Sequence, residues 1–169
     1  MRIVLKTIIL TAAGLAAYLI GGLIIYHYLW RQAKPDLTEY FRSGDKLLSR
    51  FEGFDQTVLD VREGWMHTRL EVAPHAAGTP EHFHTGFTKN FTVKTGTLSI
   101  LIGGGKRTLR ERESISIPPM TNHKPFNETG ETVVIESDDP KTLPVEFGYF
   151  LSQAYGVMDS QTNGQTAAE

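Results

Sequence analysis

The chain has 169 residues, enough for one domain of the usual ~100–200 residues and an additional segment. Its formal net charge is −2 and its Lys and Arg residues form no basic block, which argues against nucleic acid as a partner, because phosphate binding needs clustered basic side chains. The chain has no cysteine, so disulfides and Cys-ligated zinc are excluded and any metal must be bound through His, carboxylate or water.

A long apolar segment near the N-terminus predicts a transmembrane helix. Residues 7–26 carry no charged side chain, and twenty residues at ~1.5 Å each match the ~30 Å hydrocarbon layer. Aromatic residues follow, so the predicted helix covers 7–30 after a short N-terminal tail, 1–6. A cleavable signal peptide is the alternative, but its apolar core is shorter, ~7–15 residues, and ends in small residues. The sequence therefore favours a single-pass anchor, with the membrane as a partner.

The flanks of this segment bear on its orientation. Basic residues stand on both sides of it, and the short N-terminal tail favours an N-terminus in the cytoplasm, with the rest of the chain on the non-cytoplasmic side. Small residues recur at four-residue spacing, at Ala13, Ala17 and Gly21, as in membrane helices that pair closely. A general richness of anchors in Ala and Gly explains them equally well, so a homodimer is an option that the sequence leaves open.

The residues after the membrane segment predict an all-β domain. Residues 31–45 are interpreted as a juxtamembrane linker, because Pro35 removes a backbone donor and ends the helix. Over 46–138, short apolar and β-branched runs alternate with turn signals, which is typical of strands. The predicted strands, including one beyond residue 138, are Lys46–Phe51, Thr57–Val61, Trp65–Ala73, His82–His84, Lys89–Thr95, Thr97–Ile102, Arg107–Glu111, Ser114–Ile117, Thr132–Glu136 and Val145–Phe150.

The C-terminal part carries two competing patterns. Val145–Phe150 has the composition of a strand, but apolar residues also fall near helical spacing, which makes 139–158 a segment that packs on the domain or on a partner. The residues at helical spacing are Phe147, Phe150, Leu151, Ala154 and Met158. Residues 159–169 are polar with nothing to bury, which predicts a disordered tail.

Three histidines are the candidate functional residues. His82 and His84 are two residues apart, and alternate side chains of a strand share a face, so their imidazoles point to one place. His123 follows about forty residues later. Imidazole is the commonest metal ligand of proteins, so a His-x-His pair with a third histidine predicts a metal site.

The residues around the first two histidines resemble the first motif of the cupin superfamily. That motif reads Gly, five residues, His-x-His, three or four residues, Glu, six residues, Gly. His82, His84 and Gly96 match it. Ala76 stands at the leading glycine and Lys89 at the glutamate.

The residues around the third histidine resemble the second cupin motif, which reads Gly, five residues, Pro-x-Gly, two residues, His, three residues, Asn. Pro118, His123 and Asn127 match it. Arg112 and Met120 stand at its two glycines. The resemblance implies a single cupin-type double-stranded β-helix, a jelly-roll barrel, preceded by one transmembrane helix.

The resemblance also implies a cofactor, a divalent metal ion such as iron, zinc, manganese or nickel, with His82, His84 and His123 as its ligands. The family's carboxylate ligand is replaced by Lys89, whose ammonium has no lone pair to donate. Alternation along Lys89–Thr95 directs Lys89 and Phe91 inward. A small-molecule ligand is therefore expected in a pocket lined by Lys89, Phe91, Met120 and Phe126.

Three functions remain open at this point. The first is a membrane-anchored metalloenzyme, an oxygenase or an isomerase-like enzyme, with the three histidines as metal ligands. The second is a metal-free binding module in which Lys89 holds a small anionic ligand. The third is a structural component of a membrane complex that does not use the pocket.

Overall fold

The structure is a computed structural model that describes residues 2–30, 36–37 and 39–165. The chain divides into two compact units, Met1–Pro35 and Asp36–Glu169.

The first unit consists of an apolar helix. α1 covers Arg2–Ile25 and continues into a π-helical turn, Tyr26–Trp30. Ile3–Leu29 is long and apolar enough to cross a membrane, with a mean hydropathy of 2.3, although a signal sequence has the same properties. Residues 2–6, predicted as a tail, belong to the helix, whereas the predicted end of the helix at Pro35 lies outside the described residues.

The described residues of the second unit form ten strands in two antiparallel sheets. The larger sheet has the strand order β1-β2-β3-β9-β4-β7 with β10 added on β3, and the smaller has the order β6-β5-β8. This is a β-sandwich of the jelly-roll class, formed by two separate sheets. The strands are β1 (Lys46–Ser49), β2 (Phe54–Arg62), β3 (Trp65–Val72), β4 (Lys89–Thr95), β5 (Thr97–Ile102), β6 (Gly105–Arg110), β7 (Ser114–Ile117), β8 (His123–Phe126), β9 (Val133–Glu136) and β10 (Leu143–Pro144).

Two of the strand predictions are wrong, and two strands of the structure, β8 and β10, are not among the predicted ones. His82–His84 belongs to the loop between β3 and β4, with a single antiparallel bridge at His82. Val145–Phe150 is helical. Of these two strands, β8 contains Pro125, which suggests a turn in the sequence but fits an edge strand, where one side needs no backbone donor.

Helix α2 covers Val145–Gln165, so the helical pattern of the C-terminal part is the correct one. Residues 159–165 continue this helix, which makes the prediction of a disordered tail wrong for them, and 166–169 lie outside the described residues. Gly148 lets the helix approach the larger sheet closely, because a Cβ at this position would lie 2.0 Å from the Met66 Cε atom. The domain is therefore the predicted all-β jelly roll, with one helix added after its last strand.

The domain also starts earlier than the linker prediction allows. Phe41 lies within the predicted linker, 31–45, yet it is buried and packs with Val58, Met66 and Tyr155 in a core between the larger sheet and α2. A second core fills the space between the two sheets. Residues 31–35 and 38 of the predicted linker lie outside the described residues.

Asn127, the last residue of the second motif, is a buried structural link. Its Nδ2 donates to the carbonyls of Val72 at 3.3 Å, Ala73 at 2.9 Å and Glu131 at 2.7 Å. Its Oδ1 accepts hydrogen bonds from the Thr129 backbone N–H at 2.9 Å and hydroxyl at 2.8 Å. The side chain thus ties the end of β3, where the histidine loop begins, to the segment that follows β8.

Candidate metal centre

Backbone hydrogen bonds bring the loop between β3 and β4 to the third histidine. The His82 N–H donates to the His123 carbonyl at 3.0 Å, and the His123 N–H donates to the His82 carbonyl at 2.8 Å. Met120 also donates its N–H to the His84 carbonyl at 2.8 Å. These bonds fix the backbone on which all three imidazoles are placed, although the first two histidines do not belong to a strand.

Gly78 allows this loop to lie directly on β8. Its φ is +70°, and a Cβ built on it would lie 1.8 Å from the Pro125 carbonyl oxygen. Only glycine fits such a close backbone approach in the left-handed region.

The three imidazoles converge as the sequence predicts. Each of His82, His84 and His123 offers a ring nitrogen, and these atoms all lie within 4.8 Å of one another. The ring centroids are 4.5, 5.0 and 5.1 Å apart. In a tetrahedral site, metal–nitrogen bonds of about 2.1 Å place two ligand nitrogens about 3.4 Å apart, so the imidazoles must approach one another by no more than about 1.4 Å to bind one ion.

Backbone carbonyls orient two of the rings for metal binding. The His82 Nδ1 lies 2.8 Å from the Pro80 carbonyl oxygen, and the His123 Nδ1 lies 3.0 Å from the Thr121 carbonyl oxygen. A carbonyl only accepts, so these bonds assign the proton to Nδ1 and leave the lone pair on Nε2. This arrangement is common among metal-binding histidines, where the second bond fixes the tautomer and the ring plane.

Aromatic packing holds the third ring. His84 stacks on Phe87 at 4.3 Å between centroids and meets the edge of Phe147 at 5.0 Å. Burial lowers the pKa of His84 to about 3, with further lowering by the positive charges of its neighbours. Burial also lowers the pKa of His123, against the opposing effect of its Thr121 hydrogen bond. Both rings are therefore neutral at neutral pH, the form that binds a metal.

A cavity of about 60 Å³ lies at the histidines. Lys89 lines it and lies over the Phe91 ring, with 5.4 Å between Nζ and the ring centroid. Burial lowers the pKa of Lys89 to about 8, so its ammonium is still mostly protonated at neutral pH. The described lining residues are Phe54, Gln56, Leu70, Thr79, His82, His84, Lys89, Phe91, His123, Pro125, Leu143, Phe147, Leu151 and Tyr155.

Two predicted pocket residues do not line this cavity. The Met120 side chain is 66% exposed, and its backbone has a φ of +63°. Phe126 lies under the Lys106 ammonium, 5.7 Å from Nζ to the ring centroid. Pro125 faces the cavity, and neighbouring side chains of a strand point to opposite faces, so Phe126 points away.

Sequence reasoning missed the contribution of α2 to the cavity. Phe147, Leu151 and Tyr155 stand four residues apart on one face of this helix and close one side of the cavity. The signal was present in the helical spacing of the first two, which the sequence assigned to packing alone.

Residues 68–137 match the family model of the cupin domain. This segment is a cupin domain. Several solved structures are similar to the chain at low identity. KdgF from Halomonas sp. is 21% identical, with 54% of this chain and 82% of that chain covered and a TM-score of 0.47.

A cupin-2 domain containing protein from Shewanella frigidimarina is 25% identical, with coverage of 47% of this chain and 74% of that chain and a TM-score of 0.42. A predicted oxalate decarboxylase from Thermotoga maritima is 13% identical, with coverage of 55% of this chain and 87% of that chain and a TM-score of 0.48. No curated protein matches the chain. The matched residues contain most of β3 and all of β4 to β9, while α1, β1, β2, β10 and α2 lie outside them.

Proposed function

We propose that the protein is a membrane-anchored cupin that binds one divalent metal ion through His82, His84 and His123. The observation that supports this is the convergence of three imidazole nitrogens within 4.8 Å, on rings held by carbonyl bonds or aromatic packing. Iron, zinc, manganese and nickel all accept imidazole ligands, so the donor set fits each of them.

The same proposal includes an enzymatic role of the oxygenase or isomerase type. Three protein ligands leave coordination positions open, and a bound metal supplies Lewis acidity to a substrate or water there. The chain's own residues contribute the surroundings. Lys89 offers a positive charge beside the ligands, and apolar side chains of the sheets and α2 form about half of the lining of the cavity.

A metal-free binding module is the second candidate. Its support is the identity of residue 89, because a lysine at the family's carboxylate position removes a ligand and adds a positive charge. In this case Lys89 holds a small anionic ligand, and the histidines act as hydrogen-bond donors or acceptors around it.

Metal analysis of the full-length chain in detergent separates the two candidates. After loading with iron, zinc, manganese or nickel, we expect about one ion per chain, and the variants His82→Ala, His84→Ala and His123→Ala should each lose most of it. His67→Ala is the matched control, because its Nε2 lies 2.9 Å from the Ser137 carbonyl and it does not line the cavity. A wild-type chain without metal favours the second candidate, and unchanged metal in all three variants means that other residues bind it.

The membrane anchor is part of the proposal and has its own test. Ile3–Leu29 is mostly apolar, with Lys6 as its one Lys, Arg, Asp or Glu residue, and its most apolar window is exposed, as expected for a helix that meets lipid. We place the cupin domain on the non-cytoplasmic side, because the short N-terminal tail favours that orientation. Carbonate washing of membranes should leave the protein in the pellet. Recovery of the full-length protein in the soluble fraction would contradict the anchor, and a mature chain that starts after residue 30 would show that the segment is a cleaved signal peptide.

A further inference from the structure

The cavity at the three histidines lacks a negative charge. Among its described lining residues, Lys89 is the only one with a formal charge, and none carries a carboxylate. A dication bound by three neutral imidazoles would keep its full charge next to an ammonium. Buried charges need partners, so this arrangement calls for an anion from outside the protein.

Glu52 does not fill that role. Its carboxylate forms a hydrogen bond with the Tyr155 hydroxyl, and Tyr155 rather than Glu52 lines the cavity. Burial raises the pKa of Glu52, with a further increase from the nearby Asp159, and this disfavours its anionic form. A negative charge that offsets part of the positive charge of the metal and Lys89 therefore has to come from a ligand.

The size of that ligand is limited by α2. The cavity of about 60 Å³ holds roughly four to six water-sized groups. Phe147 closes it on one side, with its ring edge against His84 at 5.0 Å, and Leu151 follows one turn later. Most other wall residues are apolar, so a second charged group on the ligand would face a surface that cannot solvate it.

We infer that this site binds a small monoanion of the carboxylate class, whose oxygens take the open position of the metal and whose charge is balanced by Lys89, with Phe147 as the size limit. The inference rests on the proposed metal site. In the family motif a glutamate of the protein supplies the carboxylate. In this chain the bound small molecule supplies the carboxylate, and Lys89 supplies the positive charge that pairs with it.

The test uses the full-length chain in detergent, loaded with Co²⁺, and acetate as the probe. Binding is followed by the visible absorption of the cobalt ion, which responds to a change of ligand and needs no enzymatic activity. Lys89→Met removes the charge and keeps an apolar side chain of similar length. If Lys89→Met does not fold, Lys89→Gln replaces it in the test. Lys94→Met is the control, because Lys94 lies on the same strand and pairs with Asp138 at 2.6 Å outside the cavity.

We expect acetate to bind the cobalt-loaded wild type and the Lys94→Met variant equally. Loss of one charge-assisted bond should weaken acetate binding roughly tenfold to a hundredfold in the Lys89 variant. Benzoate should bind poorly to the wild type and better to Phe147→Ala, whereas Phe150→Ala, at a side chain that is 59% exposed, should behave as the wild type.

The outcomes separate this inference from the metal proposal. Cobalt bound at one ion per chain with equal acetate affinity in wild type and Lys89→Met would overturn the inference and leave the metal site intact. Equal affinity of the wild type for acetate and benzoate would overturn the size limit. A wild-type chain that binds no cobalt would overturn the metal proposal and, with it, the inference.

Discussion

Met120 donates its backbone N–H to the carbonyl of His84 at 2.8 Å while its own backbone adopts a φ of +63°. Arg112 has a φ of +70°. Met120 and Arg112 occupy the two positions where the second cupin motif has glycine, so this chain keeps a left-handed backbone at both positions without glycine. Each non-glycine residue in that region costs roughly 1–2 kcal/mol.

Glycine at either position should therefore stabilise the domain. We expect Met120→Gly and Arg112→Gly each to raise the free energy of unfolding by about 1 kcal/mol, since relief of strain exceeds the added chain entropy of glycine. Arg110→Gly is the control, because Arg110 lies in β6, where glycine should cost about 0.5–1 kcal/mol. Denaturant titration measures all three, and a loss of stability in Met120→Gly would show that its side chain contributes more than the strain costs.

Gly78 should tolerate no side chain. In Gly78→Ala the new Cβ would lie 1.8 Å from the Pro125 carbonyl oxygen, and this oxygen belongs to the backbone and cannot rotate away. We expect a loss of several kcal/mol of stability, on the order of 3, or a displaced histidine loop with weaker metal binding. Gly86→Ala in the same loop is the control, because nothing lies within 4 Å of its added Cβ. Equal stability and metal content in both variants would mean that the loop does not rest on β8.

The buried carboxyl group of Glu52 should make stability depend on pH. Burial raises the pKa of Glu52 in the folded state above its ordinary value of 4.5. Below that value the group is protonated in both states and carries no penalty. Between pH 4.5 and the folded-state pKa, the unfolded state has released its proton while the folded state keeps it, so the free energy of unfolding falls as the pH rises. Above the folded-state pKa, the free energy of unfolding stays at this lower value.

Glu52→Gln should remove this penalty, because its amide keeps an acceptor for the Tyr155 hydroxyl without a charge. We expect a higher melting temperature than the wild type at pH 8 and a smaller or no gain at pH 4. Glu111→Gln, at an exposed residue of a turn, should show no such difference between the two pH values. A gain for Glu52→Gln that is the same at both pH values would contradict the charge-based explanation.

The histidine site illustrates how far the sequence could predict this structure. Motif spacing predicted that His82, His84 and His123 meet and that Lys89 lies among them, and the structure shows both. The reason given for the first pair was wrong, because the two histidines lie in a loop. Their convergence depends on backbone bonds to His123 and Met120, which join residues about forty positions apart and leave no local pattern.

The C-terminal helix illustrates what the sequence could not decide. Val145–Phe150 is rich in residues that suit either a strand or a helix, and Gly148 weakens a helix in isolation. Its helical form depends on packing against the larger sheet, where Gly148 and Met66 meet. Tertiary contacts of this kind override local propensity, so the sequence left strand and helix open, and the role of the helix in closing the cavity became visible only in the structure.

Replacement of Lys89 by glutamate tests the central feature of this site. Lys89 stands at the position of the family's carboxylate ligand and lines the cavity together with the three histidines. Lys89→Glu removes a positive charge and adds a carboxylate oxygen that can bind a metal, and each of these two changes favours the binding of a dication. We expect the affinity for zinc, manganese and nickel to rise at least about tenfold in calorimetric titrations, while acetate binding is lost.

Lys94→Glu is the control for the general effect of charge, because it adds the same two negative units on the same strand outside the cavity. Its metal affinity should change little, since exposed charges are screened by solvent and salt. An equal rise in both variants would show that the gain comes from net charge. Unchanged or weaker affinity in a folded Lys89→Glu variant would show that a carboxylate at this position does not reach the metal, and the comparison with the family's glutamate would then fail for this chain.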